Sequence, residues 1–155
     1  MRMRAAKVRG TLPQGFTLLE VLVALVVLSV GLLGLSGLQT TSLRNNHSAF
    51  LRSQATIVTH DIIDRMRANR DSARNGNYDI GYASSPTSTS CTGTCSALQV
   101  AQMDVEEWRD YVERLPGGES ELDVDGTSNV ATIKVRWADA RDSGNKLQVV
   151  TRVQL

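Results

Sequence analysis

One carboxylate, Glu20, stands inside a run of apolar and small residues from Phe16 to Leu38. A charged carboxylate in hydrocarbon costs on the order of several kcal/mol, so such a residue marks a functional place. No second titratable side chain lies in the run, so Glu20 has no partner for acid–base catalysis and reads as an ion-pairing group. Elsewhere the reactive residues are sparse. Cys91 and Cys95 sit four apart in a Gly/Thr/Ser segment and predict a small disulfide in an oxidising compartment. Two free thiols are the alternative. A metal site is disfavoured, because His47 and His60 are far upstream, thirteen apart, and no second cysteine pair exists. Asp123-x-Asp125-Gly126 begins like a calcium loop but lacks the third acidic position and the closing Glu, so it reads as a β-turn. Asn46-His47-Ser48 matches a glycosylation acceptor, but the motif is short and falls in a predicted helix. No G-x-S-x-G, phosphate-binding glycine loop or HExxH is present. The chain is therefore expected not to be an enzyme, with no cofactor and no small-molecule substrate. A net charge of +1 gives no sign of nucleic-acid binding.

The element that carries Glu20 is long enough to cross a membrane. Twenty-three helical residues at about 1.5 Å each reach roughly 34 Å, against a bilayer core of about 30 Å. Before it stand Arg2, Arg4, Lys7 and Arg9 with no acid among the first fifteen residues. Without these four of the 17 basic residues, 13 face 16 acidic ones, a net of −3. A basic flank keeps its side in the cytoplasm, which places the rest of the chain in the periplasm or beyond. An ordinary secretory signal has an apolar region of about 7–15 residues and then a small-residue cleavage site. This run is longer and holds Glu20. A plain signal anchor fits the length and the basic flank, but leaves Glu20 and the sharp Gly15-Phe16 boundary unexplained. Gly31, Gly34 and Gly37 recur every three residues in the span. They fit either a packing stripe against neighbouring helices or a weak point where the helix can loosen.

Beyond the span, Leu43, Phe50 and Ile57 recur at seven, and Val58, Ile62 and Met66 at four, with Leu51, Ala55 and Ile63 widening the stripe. This predicts the apolar face of an amphipathic helix. No proline lies between Phe16 and Asn75, so span and amphipathic segment are expected to form one helix, ended by Asn75-Gly76. Asp61 and Asp64 are spaced for ion pairs with Arg65 and Arg67. Ala83–Ser90 is loop by composition, and O-linked sugar on its Ser/Thr tract is a secondary reading. Leu98, Ala101, Val105, Trp108, Val112 and Leu115 predict a second amphipathic helix, with Trp108 in the core. Asp104, Glu106 and Glu107 are read as its early acidic residues and Arg114 as its late basic one. Pro116-Gly117-Gly118 ends it. Three period-two runs follow: 119–125, 129–138 and 146–155, with turns at Gly126 and at Ser143-Gly144-Asn145. Short connections favour an antiparallel meander whose apolar face covers the long helix. The fold class is α+β.

The stretch Gly15-Phe16-Thr17-Leu18-Leu19-Glu20, between a basic leader and an apolar helix, resembles the class III signal of type IV prepilins and type II secretion pseudopilins. The whole layout resembles a type IV pilin: a long N-terminal helix packed on a small antiparallel sheet, with an additional short helix. Within that group the N-terminal stretch, VTHDIIDRMRANR and the tryptophan helix ending in LPGG resemble the PilV family of pilus modification proteins, which are minor pilins. The resemblance implies three segments: a cleaved leader (1–15), a transmembrane and assembly helix (16–38) and a periplasmic head (39–155). It implies cleavage by a prepilin peptidase between Gly15 and Phe16, N-methylation of Phe16, and pairing of Glu20 with a neighbouring subunit's terminal amine. The implied partners are other minor and major pilins, the inner-membrane pilus assembly platform and membrane lipid. The implied location is the inner membrane, single-pass, and then the pilus or cell surface. The implied role is priming or modifying the pilus, with effects on motility, adhesion or DNA uptake. A minor pseudopilin of type II secretion, and a non-pilin single-span protein with a periplasmic binding head, stand as alternatives.

Overall fold

The computed structural model describes residues 15–139 and 144–155. The basic leader residues and Ser143 of the second predicted turn lie outside the described residues. The elements in chain order are α1 (Leu18–Ala68), α2 (Arg70–Arg74), α3 (Ala97–Glu113), β1 (Glu119–Asp125), β2 (Val130–Ala138) and β3 (Lys146–Gln154). Two compact units divide the chain, one up to Thr41 and one from Ser42 to Leu155. The first contains the apolar part of α1. The second is the head.

In the head, the strands form an antiparallel sheet in the order β1-β2-β3. The predicted alternation is observed on β2: Ala131, Ile133, Val135 and Trp137 are buried, while Lys134 and Arg136 face outward. Lys134 meets Glu121 at 2.5 Å, and Arg136 pairs with Glu119. The apolar sheet face, the amphipathic half of α1 and the apolar side of α3 close one core. Trp108 is fully buried there, and its Nε1 donates to the Val58 carbonyl of α1 at 2.9 Å.

Four expectations need correction. The helix does not run unbroken to Arg74. It stops at Ala68, Asn69 adopts φ −118°, ψ 50°, and α2 is a separate turn ending at Asn75. Asn69 leaves helical geometry to bind the Ala97 carbonyl (2.8 Å) at the start of α3. Next, Leu43, Phe50 and Ile57 do not share the buried stripe; they are 70%, 57% and 59% exposed. The buried face is Leu51, Ala55, Thr59, Ile62, Ile63 and Met66, and residues seven apart such as Phe50 and Ile57 fall on the opposite side of the wheel. Third, Leu98 is exposed. Fourth, α3 starts at Ala97, so Asp104–Glu107 are mid-helix and no acidic residue occupies the first turn. Its start is fixed by a capping box instead: Ser96 Oγ accepts from the Gln99 amide and Gln99 Oε1 from the Ser96 amide.

The turns follow from local chemistry. After α3, a Cβ on Gly118 would lie 2.0 Å from the Val112 carbonyl, so only glycine fits. Between β1 and β2, Asp125 accepts from the Thr127 amide (2.9 Å) and Ser128 hydroxyl (2.6 Å). The left-handed position of that turn is Asn129 (φ 54°), a residue type that tolerates it. Asp123 and Asp125 are thus the last part of β1 and not a β-turn, and the hairpin turn is 126–129, beginning at Gly126.

Candidate functional site

The N-terminal unit presents Gly15, Phe16 and Glu20 together at the beginning of α1. Gly15, Phe16 and Thr17 precede the helix, and Phe16 is 83% exposed. Thr17 is the N-cap: its Oγ1 accepts from the Glu20 amide at 3.2 Å. Glu20 therefore occupies the third helical position, in the first turn, where the helix N-terminus favours an anion. Phe16, Glu20, Val21, Ala24, Leu25 and Leu28 line one apolar groove with Glu20 as its acidic member.

Past Glu20, α1 has no charge until Arg44. It contains a stretch long and apolar enough to cross a membrane, none of it buried within the chain. Three polar side chains in and after this stretch bond back to the helix itself. Ser29, Thr40 and Thr41 donate to the carbonyls of Leu25, Ser36 and Gly37 at 2.7–3.1 Å. Gly31, Gly34 and Gly37 are helical, and a Cβ on any of them would meet nothing within 4 Å. No contact among the described residues requires their small size.

Several polar groups of the head serve its architecture. Cys91 and Cys95 are joined by a disulfide, with Cα atoms 5.7 Å apart, just before the Ser96 cap. Arg65 gathers Asp61 (2.9 Å), Asp104 (3.2 Å) and Glu107 (2.7 Å), tying α1 to α3. The Arg65 guanidinium holds the Glu107 carboxyl below its usual range, and that hydrogen bond in turn raises Arg65. Tyr78 is buried and donates to Asp104 at 2.7 Å; burial raises its pKa. Arg109 is buried, and no carboxylate among the described residues hydrogen-bonds it. It donates instead to the carbonyls of Gly81, Ser84 and Ser120, each at 2.9 Å, and burial lowers its pKa. Asp79, Glu121 and Asp123 line a cavity of about 450 Å³, and no histidine, cysteine or basic side chain joins them. Among the described residues, no group of three or more His, Cys, Asp or Glu could hold a metal. Ser48 is buried and donates to Asp139, which weighs against the Asn46-His47-Ser48 acceptor reading.

Two family models match. Residues 13–36 match the prokaryotic N-terminal methylation motif, and residues 37–106 match the family described as type IV pilin Tt1218. The chain has the fold and the sequence signatures of a type IV pilin. No curated protein and no solved structure matches it. The motif match covers the Gly15-Phe16 junction, Glu20 and all but one of the span glycines, and the second match begins at that one, Gly37. Two residues of this chain escaped the sequence reading. Thr17 carries a visible signal, since Thr-x-x-Glu before an apolar run is the spacing of a capping box. Arg109 carries none, because an arginine on an amphipathic helix ordinarily reads as its wet face.

Proposed function

We propose that this chain is a minor type IV pilin that takes part in pilus assembly, priming or modifying the filament, with downstream effects on twitching motility, adhesion or DNA uptake. The observation that carries the reading is the methylation-motif match at residues 13–36, with Glu20 in the first turn of α1. A prepilin peptidase cuts between Gly15 and Phe16 and leaves a methylated ammonium at Phe16. That cation exists only once the leader is gone. Glu20 stands about one helical turn from it, so a sister subunit displaced by about 5.4 Å along the axis brings its terminal amine to Glu20. In a low-dielectric layer a carboxylate is tolerable when such a cation reaches it.

The proposed segments are the leader (1–15), an inner-membrane and assembly helix (16–38) and a periplasmic head (39–155). Before assembly the cytoplasmic side of the membrane holds the basic leader. Afterwards the helix packs among other minor and major pilins delivered by the assembly platform. The minor-pilin assignment is supported by the PilV-like VTHDIIDRMRANR stretch, which supplies the buried Thr59, Ile62, Ile63 and Met66 and the Arg65 cluster. The test is mass spectrometry of the membrane-extracted protein. A mature chain beginning at methylated Phe16 is expected. A chain that retains Arg2–Gly15 overturns the reading in favour of an uncleaved single-span protein.

A further inference from the structure

The outer edge of β1 is closed mostly by side chains. Among the described residues one backbone rung covers it: Ile80 exchanges hydrogen bonds with Leu122 at 2.9 and 2.8 Å. In an antiparallel pair the next hydrogen-bonded rungs stand two residues away, Tyr82 with Ser120 and Tyr78 with Val124. Neither is made. The Ser120 carbonyl accepts from Arg109 instead (2.9 Å), and the Val124 amide donates to Asp79 Oδ1 (2.9 Å). Beyond Ile80 the chain turns to the same guanidinium, which donates to the carbonyls of Gly81 and Ser84 at 2.9 Å. Tyr82 then stacks on Arg136 of the outward sheet face, with the guanidinium carbon 3.7 Å from its ring centre.

Two further features weaken this closure. A cavity of about 450 Å³ is lined jointly by Gly81 and Ser84, by Val105 of α3 and by Leu122 of β1, so packing beside the segment is open. Tyr82 Oη, Arg109 Nε and Ser120 Oγ are buried with no hydrogen-bond partner among the described residues, and unpaired buried polar atoms oppose the closed state. We propose that residues 79–84 are a strap over the outer edge of β1, latched by Arg109, that lifts as a unit while the three-stranded sheet stays folded. A single rung, a neighbouring cavity and unpaired polar atoms are the marks of a unit with low local stability. Lifting gives water access to the three unpaired atoms. It also frees the groups that Ser120, Leu122 and Val124 turn away from β2, and a bared edge is a template for another strand. The closed strap guards that edge. Hydrogen bonds from an ionised donor are about twice as strong as neutral ones, so Arg109, not the single rung, is the latch. The strap belongs to the head alone and does not rest on the pilin reading.

Native-state hydrogen exchange, read residue by residue on the detergent-extracted chain, tests the strap within one strand. Alternation turns the amides of Leu122 and Val124 toward the strap and those of Glu121 and Asp123 toward β2. In the wild type, the amides of Ile80, Leu122 and Val124 are expected to share one protection factor, at least tenfold below that of Glu121 and Asp123. Low concentrations of urea should leave the first set unchanged and lower the second, because only the second needs the large exposure of global unfolding. Equal protection of the two sets overturns the strap, since the edge then opens only with the whole sheet. This comparison needs no variant to fold. In Arg109→Ala the first set is expected to lose at least a further tenfold relative to the second. A variant that lowers both sets by the same factor overturns the latch and leaves Arg109 as a stabiliser of the whole head.

Discussion

Glu20 is held in place before any partner arrives, because Thr17 caps the helix through the Glu20 amide and so fixes the turn that presents the carboxylate. This separates two roles that one deletion would blur. Replacing Glu20 by Ala removes the carboxylate but leaves the cap, so membrane insertion should be unchanged while incorporation into the filament falls sharply. Normal incorporation by immunoblot of sheared pili would remove the register role. Replacing Thr17 by Ala leaves the carboxylate but costs about 1 kcal/mol at the helix start. Its expected signature is faster amide exchange at Glu20 with a milder assembly defect; unchanged exchange would mean that the cap contributes nothing. In the head, Arg109 is the residue with most to lose. Its replacement by Ala strands the carbonyls of Gly81, Ser84 and Ser120. Leaving a buried acceptor unsatisfied costs about 1–3 kcal/mol, so denaturant unfolding should show a loss of about 3 kcal/mol. A loss under 1 kcal/mol would mean that water replaces the guanidinium.

The legibility of each element tracks how local its cause is. The three strands were readable because alternation is a two-residue pattern and the buried side of β2 follows it residue by residue. The long helix was readable for the same reason at a longer period, but its end was not. The break at Asn69 comes from a hydrogen bond to Ala97, 28 residues away, and no local propensity announces it. Leu43, Phe50 and Ile57 misled because a seven-residue repeat of apolar residues looks like a core stripe whichever side of the helix the core takes. Within the candidate site, Gly15, Phe16 and Glu20 were legible as a motif, while the cap at Thr17 needed the helix start to be placed. The span glycines pose the remaining question at this scale. No contact among the described residues needs them, and the two readings, packing between subunits and loosening of the helix, predict different outcomes. Alanine at Gly31, Gly34 and Gly37 should slow local amide exchange by about fivefold per site, the equivalent of about 1 kcal/mol of propensity each. If loosening is the function, this stiffened variant should assemble poorly and Gly34→Pro should assemble well. If close packing is the function, both should fail.

For the whole molecule, the charged groups that join the head's elements set its response to acid. Arg65 holds Glu107 below its ordinary value of 4.5, Lys146 and then Arg136 do the same for Glu119, and the Ser128 and Thr127 donors lower Asp125. A carboxylate whose folded pKa is depressed adds stability above its unfolded pKa and loses it as pH falls through the folded one. Asp79 runs the other way. Burial raises it despite its bond from the Val124 amide, so protonation relieves it. Three groups thus lose stability on acidification and one gains, and Glu107 is the one that links α1 to α3. Stability should therefore be level from pH 7 to about 5 and decline below the ordinary carboxylate range near 4.5. Trp108 and Trp137 are both fully buried in the head, so their fluorescence reports its unfolding directly. In urea titrations of the detergent-extracted chain, Glu107→Gln should lower the midpoint at pH 7 and flatten its decline toward pH 3.5. The wild-type and Glu107→Gln curves should converge in acid, because both then lack the charge. Parallel curves across the whole range would show that the Arg65–Glu107 pair does not govern acid stability.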